Sequence, residues 1–472
     1  MDRTKYLIKN TGILTISNFA SKILVFLLVP LYTSVLSTSE YGTYDLIIST
    51  VALLMPVLTC NISDAVMRFS MDEHYPREDV VKVGIRITLI SIAIAWVLLL
   101  IIKASGLFPK FDGLFGITAA YYLIHTSNQF LIQVARGYEK VKEIGVAGVI
   151  GTVVMIAANI ILLLLVKAGL KGFFFAMILG QAVPIIYLLW KLDFTKTIFA
   201  VTRLRFNNSL CREMLSYSVP LIATSLGWWV NSTSDRYIVA FICGVGANGL
   251  LSVAYKIPAI INTLQGIFIQ AWQISAIKEY GSKDKARFYG NAFSALNVMM
   301  AIACSVLILL TRPIAHLLFA KGFFIAWQYV PFLLVSCVAN SASGFLGPVL
   351  SAKKDSKSAA LSAIYGAIAN LVLNVALVYV LGIQGACIAT VIASWIIYYS
   401  RKKSLNKEIV IDRYSSVLLI WALLCLQAVI EIYTSLWYLE VLLLALLLFI
   451  SRKEIRKIQL LGMNYLKSRK HS

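Results

Sequence analysis

The stretch "NSTSDRYIVAF", residues 231–241, decides how the chain is read. Upstream lies the apolar run Leu221–Val230, with a tryptophan pair at Trp228 and Trp229; downstream lies Ile238–Cys243. Between them stand small and amide side chains, then Asp235 and Arg236. Two ionisable residues inside a segment of this hydropathy need a physical reason, because a charge in a bilayer core costs roughly 2.5 kcal/mol or more.

The surrounding chain supplies the bilayer. Of 472 residues, 59% are apolar and 14% charged, too few polar side chains to cover a water-soluble protein of this size. A spanning helix needs about 20 apolar residues. Fourteen segments qualify: 11–35, 44–67, 81–102, 113–135, 144–166, 170–190, 213–243, 249–277, 288–310, 324–350, 358–380, 384–400, 414–433 and 435–451. The expected class is therefore an all-α polytopic membrane protein of about fourteen helices.

The cations test this map. Lys and Arg favour cytoplasmic loops. With the N-terminus inside, 33 of the 43 Lys and Arg fall on the cytoplasmic side and six on the other: Lys103, Lys110, Lys167, Lys171, Arg312 and Lys321. Four stand within segments, Lys22, Arg86, Arg236 and Lys256, with Lys82 and Lys171 at segment ends counted in their adjoining loops. The alternation predicts both termini in the cytoplasm. It also accounts for the net charge of +21 by topology and anionic headgroups, so nucleic acid is not an expected partner. The first apolar segment is too long for a cleaved signal and carries Asn18 and Lys22. The seven cysteines suggest neither a disulfide framework nor a zinc site, and no metal or organic cofactor is expected.

Two sets of six segments repeat. "VLSTSEYGTYDLI" at 35–47 and "FICGVGANGLLSV" at 241–253 both join a long helix to the next by a tight turn. "AANIILLLLVKAGLKGFFFA" at 157–176 resembles "NLVLNVALVYVLGIQGACIA" at 370–389, with Gly-x-x-Gly at Gly169/Gly172 and Gly382/Gly385. The expected organisation is a six-helix lobe over 1–190, a cytoplasmic amphipathic linker over 191–212, a second six-helix lobe over 213–400, and two extra helices with a basic tail over 401–472. Pro30 and Pro56 in the leading pair of the first half, and Pro220 and Pro258 in that of the second, are candidate hinges.

The intramembrane polar residues concentrate in the same leading helices. Asn18 and Lys22 stand four apart in segment 1; Asn231 and Asp235 share one face of segment 7, Ser232 and Arg236 the next; Lys256 opens a polar stretch of segment 8. Lys22, Arg236 and Lys256 would line a cationic cleft between the halves, with Asn18 and Asn231 as polar lining. Asp64, close to Arg68 in sequence, and Asp235 are either ion-coupling carboxylates or counter-ions. A diphosphate matches fixed cations, and sugars match amides and aromatic faces.

The block "SNFASKILVFLLVPLYTSVLSTSEYGTYDLI", the "STSDRYIVAF…LLSVAYKI" block at 232–257 and the Gly-x-x-Gly endings resemble the polysaccharide transporter family of O-antigen and capsule repeat-unit flippases. That family lies within the superfamily that includes MATE drug exporters and the lipid II flippase. The resemblance runs over nearly the whole chain. It implies MATE-like 6+6 pseudo-symmetric lobes plus two C-terminal helices, in a bacterial cytoplasmic membrane. It also implies alternating access moving undecaprenyl-diphosphate-linked oligosaccharide from the inner to the outer leaflet. Lys22, Arg236 and Lys256 would then hold the diphosphate, the lipid tail would stay in the membrane, and H+ or Na+ would couple at Asp64 or Asp235. A polysaccharide polymerase and an initiating transferase would be the partners. The alternatives are a MATE-type drug or small-molecule exporter, whose cavity should be acidic, and a membrane glycan polymerase or acyltransferase. An enzyme of that kind would need a substantial outer loop or a His/acid cluster, whereas His74, His125, His316 and His471 are scattered; the chain is expected not to be an enzyme.

Overall fold

The structure is a computed structural model that describes residues 24, 26–106, 109–192, 207–406, 408–410, 414–434, 436–457 and 459–460. Among these residues there are helices and turns and no strand. The chain divides into two compact units, Met1–Thr233 and Ser234–Ser472. The division falls inside one continuous helix; of the expected linker at 191–212, residues 193–206 lie outside the described residues, as do Asn18 and Lys22.

The first unit contains α1 (Val29–Val35), α2 (Thr38–Leu58), α3 (Ile62–Ser70), α4 (Arg77–Ala104), α5 (Phe115–Gly137), α6 (Val141–Asn159) and α7 (Gly169–Lys191). It also takes most of α8 (Asn208–Cys243). The second unit contains α9 (Val245–Ala254), α10 (Lys256–Glu279), α11 (Lys285–Leu309), α12 (Thr311–Leu318), α13 (Val330–Ala352), α14 (Ser356–Leu381), α15 (Ile383–Ser404), α16 (Tyr414–Tyr433) and α17 (Trp437–Ile450). Nine described helices are long and apolar enough to cross a membrane, and α9 and α17 are shorter apolar helices. The long helices α5, α8 and α10 carry more polar side chains, which keeps them outside that group. This is a multi-pass membrane protein.

Local chemistry explains the turns. The turn before α2 is a capping box: Ser37 Oγ accepts from the Glu40 N–H at 3.2 Å, and Glu40 accepts from the Ser37 N–H at 2.8 Å. Between α3 and α4, the Tyr75 hydroxyl donates to Glu213 at 2.7 Å, and that carboxylate pushes the phenol above its ordinary value. In the same turn, hydrogen bonds from His74 hold the Asp72 carboxyl below the usual carboxylate range. Before α14, Asp355 accepts from the Ser358 N–H at 3.0 Å, which likewise lowers its carboxyl.

The segments expected at 44–67 and 249–277 are each two helices rather than one. After Pro56 the chain leaves α2 and places Cys60 and Asn61 at φ 51°, a left-handed conformation that side chains adopt reluctantly, before α3 begins. In the second unit, α9 ends at Ala254 and α10 begins at Lys256, two residues after which Pro258 presents no N–H to the Ala254 carbonyl. Pro220, by contrast, lies inside the unbroken α8, and Pro30 lies in the first turn of α1.

The two Gly-x-x-Gly motifs perform the same local task in each unit. Gly169 and Gly382 take φ +54° and +59° in the turn between paired helices. Gly172 and Gly385 then let the second helix of each pair lie close to the first: a Cβ at Gly172 would stand 3.3 Å from the Leu162 carbonyl oxygen, and one at Gly385 would collide with the Leu377 carbonyl. Gly151 of α6 and Gly180 of α7 extend the close approach, since a Cβ at Gly151 would lie 2.5 Å from the Gly180 carbonyl oxygen. Small residues at such crossings are how helices associate where lipid provides no hydrophobic drive.

In the second unit α13 is the most enclosed helix, packed by α10, α11 and α15. Trp272 stacks on Phe345 at 4.1 Å and donates to its carbonyl at 2.9 Å. The last two helices dock on this unit through buried polar pairs. Ser305 and Gln427 exchange hydrogen bonds of 2.7 and 3.0 Å, and the Trp421 indole donates to Asn297 at 3.0 Å.

Substituting Gly385→Ala should destabilise the protein by about 1–3 kcal/mol, because the obstructing atom is backbone and the helices must part. Gly382→Ala should cost about 1–2 kcal/mol from its left-handed backbone. Gly266, on α10 with no atom near its absent Cβ, should tolerate alanine or gain stability. Thermal unfolding of the purified variants in detergent checks all three.

Candidate functional site

The candidate residues of each unit are set by the breaks just described. In the first unit, Asp64 stands in the first turn of α3, directly after the left-handed pair, and is half-buried. Its Oδ1 accepts from Gln133 Nε2 of α5 at 2.6 Å; Gln133 Oε1 in turn accepts from Arg136 at 3.3 Å. Arg68, the cation nearest in sequence, reaches instead toward Asp72 at 3.7 Å on the exposed side. The amide of Asn61 donates to Ser225 Oγ of α8 at 3.1 Å, and the Trp229 indole donates to the Ser49 carbonyl of α2 at 2.8 Å. Asn231 is exposed on α8.

In the second unit, the end of α8 brings Asp235 and Arg236 against the α9–α10 junction. Asp235 is buried, 4% exposed. Its Oδ2 accepts from the Tyr255 hydroxyl at 2.5 Å, and its Oδ1 accepts from the Arg236 backbone N–H at 2.9 Å. The Arg236 guanidinium lies 5.7 Å from the centre of the Tyr255 ring, within cation–π range. Lys256, half-buried, is the first residue of α10, where the helix dipole adds positive potential.

Asp235, Arg236 and Lys256 carry a formal net positive charge at this junction. Charge-assisted acceptance from a phenol and an N–H keeps the Asp235 carboxylate from being a bare buried ion. Tyr255 fixes the relation between the carboxylate and the guanidinium, and Lys256 follows it in the chain. Among the described residues no group of three or more His, Cys, Asp or Glu is placed to hold a metal ion.

Three contributors were not singled out by sequence reasoning. Tyr255 adjoins Lys256 in the block that carries the family resemblance, but its bond to a residue twenty positions earlier requires the fold. Gln133 is an ordinary amide in an apolar stretch until Asp64 is set against it. Asp45, 7% exposed in α2 beside the aromatic cluster of Tyr44, Phe173 and Tyr32, was legible as a carboxylate within the segment expected at 44–67.

Comparison with known proteins assigns the chain. A family model described as "Polysaccharide biosynthesis protein" matches residues 7–273. The chain belongs to that family. It is 22% identical over 295 residues to the "Probable low-salt glycan biosynthesis flippase Agl15" of Haloferax volcanii, spanning 60% of each chain. Its fold is similar to that of the lipid II flippase MurJ in an inward closed conformation, at 14% identity and TM-score 0.65, covering 94% of this chain and 98% of MurJ. A multidrug resistance MATE family transporter in an inward-facing conformation aligns with TM-score 0.65 at 14% identity, covering 82% of this chain and 95% of that one. The MATE-like fold expected from the resemblance is therefore the fold of this polysaccharide biosynthesis family member.

Tyr255→Phe removes a donor from a buried carboxylate and should lower stability by about 1–3 kcal/mol. Asp235→Asn, which keeps the side-chain shape and removes the charge, should be milder. Thermal unfolding in detergent reads both variants.

Proposed function

We propose that the protein is a flippase for a polyprenyl-diphosphate-linked oligosaccharide, moving it between membrane leaflets by alternating access during surface polysaccharide assembly. The observation that carries the reading is the formal net positive charge of Asp235, Arg236 and Lys256 at the end of α8 and the α9–α10 junction of a polysaccharide biosynthesis family member. A diphosphate is doubly suited to such a junction: it is anionic, and its several oxygens can accept from guanidinium, ammonium and helix N–H groups together. The likeness to proteins described as a glycan biosynthesis flippase and a lipid II flippase supports the substrate class.

In this reading Arg236 and Lys256 hold the diphosphate, Lys22 is a further candidate cation by sequence, and the lipid chain stays in hydrocarbon. The reading includes an undecaprenyl carrier and a bacterial cytoplasmic membrane, supported by the family resemblance, and cytoplasmic termini, supported by the charge alternation. Asp64 and Asp235 are the candidate carboxylates for a coupling H+ or Na+. The protein acts as a transporter rather than an enzyme, beside a polymerase and an initiating transferase. The fold is also that of a MATE transporter, which keeps drug export as the second reading. Two cations against one carboxylate at the junction favour an anion over a cationic drug.

The test is deletion of the gene and complementation with wild type, Arg236→Ala, Lys256→Ala or Lys22→Ala. Completed lipid-linked oligosaccharide should accumulate in the deletion and surface glycan should disappear. Each charged contact is worth about 1.5–3 kcal/mol, so Arg236→Ala and Lys256→Ala should reduce flipping on the order of tenfold or more at equal membrane abundance. Unchanged surface glycan in the deletion strain, with redundant flippases removed, would sink the reading.

A further inference from the structure

The charge count makes Arg312 a cation of a loop opposite to the basic face, yet the fold turns it inward. Arg312 stands in the first turn of α12, and its Nη2 donates to the carbonyls of Glu431 and Thr434, both at 2.6 Å. It thereby caps the last turn of α16, where carbonyls lack helical partners and the dipole favours a cation. Its guanidinium lies 4.4 Å from the centre of the Trp327 ring.

Two carboxyls face this one cation. Glu431, on α16, is 5% exposed and Glu440, in the first turn of α17, is 1% exposed. The two side chains lie within hydrogen-bond reach of each other. Glu431 Oε1 is 3.2 Å from Arg312 Nε but without the alignment of a hydrogen bond, and both Glu431 Oε1 and Glu440 Oε2 are buried with no donor directed at them. No other charged side chain among the described residues forms an ion pair with either carboxyl. From α11, Ser305 is satisfied by Gln427, and on α12 the His316 ring packs at a tilt against Phe324, 4.2 Å between centres.

With both carboxyls ionised the cluster would hold two negative charges against one positive, buried between apolar helices. Two carboxylates in contact with no donor between them repel, and a single proton supplies both the missing donor and electroneutrality. We propose that Glu431 and Glu440 form a proton-binding site that holds one shared proton and, with Arg312, clamps the α16–α17 pair to the rest of the second unit. Loss of the proton leaves an uncompensated buried charge at the junction of the two helices. The clamp is therefore tight with one proton bound and weakens as pH rises on the side that Arg312 faces, which the charge alternation places outside the cell.

The site stands independently of the transport reading, and its test is spectroscopic. Infrared spectra of the full-length protein in detergent, in water and in D2O, are compared for wild type, Glu440→Gln and Glu431→Gln. Each glutamine keeps the shape and supplies a donor, leaving one carboxylate to balance Arg312. At neutral pH the wild type should show a D2O-sensitive carboxylic acid C=O band that is absent from both variants and disappears reversibly on alkalinisation. Wild-type thermal stability should fall over the same alkaline range, and that of a folded variant should fall less. A wild-type spectrum with no carboxylic acid band beyond those of the variants would overturn the proposal. So would a difference band that ignores pH up to the point of unfolding. If one variant does not fold, the other gives the same comparison.

Discussion

Hydrocarbon offers no hydrogen bonds, and this constraint governs the rest of the structure. Backbone groups must be satisfied within their own segment, which makes helices the described architecture. Side chains meet the same demand, and several polar residues inside these helices have named partners: Asp235 with Tyr255, Asp64 with Gln133, Ser305 with Gln427, Asn297 with Trp421. Asn159 and Asn374 each return their amide to the carbonyl four residues before. In an apolar medium such bonds position helices as much as they stabilise them, because a shifted helix leaves a polar group unanswered.

The breaks in α2–α3 and α9–α10 follow from the same rule. Interrupting a helix frees backbone groups that hydrocarbon cannot satisfy, so a break persists only where protein or a polar ligand answers it. Both breaks lie next to a proline, and both are followed within a few residues by a candidate charge, Asp64 in one unit and Lys256 in the other. A helix start beside a fixed cation concentrates positive potential, which is why the junction of the second unit reads as an anion site. Pro220 shows that proline alone does not make such a place: α8 passes through it unbroken.

What was legible in the sequence was whatever local chemistry specifies. Apolar run length gives the helices, the capping box at Ser37–Glu40 gives a helix start, and the Gly-x-x-Gly motifs give turns and close packing, because each acts within a few residues. Partnerships across the fold were not legible. Arg68 is the obvious counter-ion for Asp64 by sequence, yet it points to solvent and Asp72 while an amide from α5 takes the carboxylate. Tyr255 draws no notice as a tyrosine in an apolar block. Glu431 and Glu440 acquire meaning once Arg312 is brought to them from more than a hundred residues away.

Arg312 also shows how one residue can satisfy two levels of description. Its charge belongs to the sparse minority on the face opposite the basic loops, and its side chain spends that charge on the C-terminal carbonyls of α16 and a buried carboxyl. A topology count registers only the first role. Burial makes the second costly to lose, since removing the guanidinium would strand both the helix end and the two acids. The same logic separates the two charged clusters of the second unit. At Arg236 and Lys256 the proposed partner is an anion; at Glu431 and Glu440 acids exceed the cation, and the proposed partner is a proton.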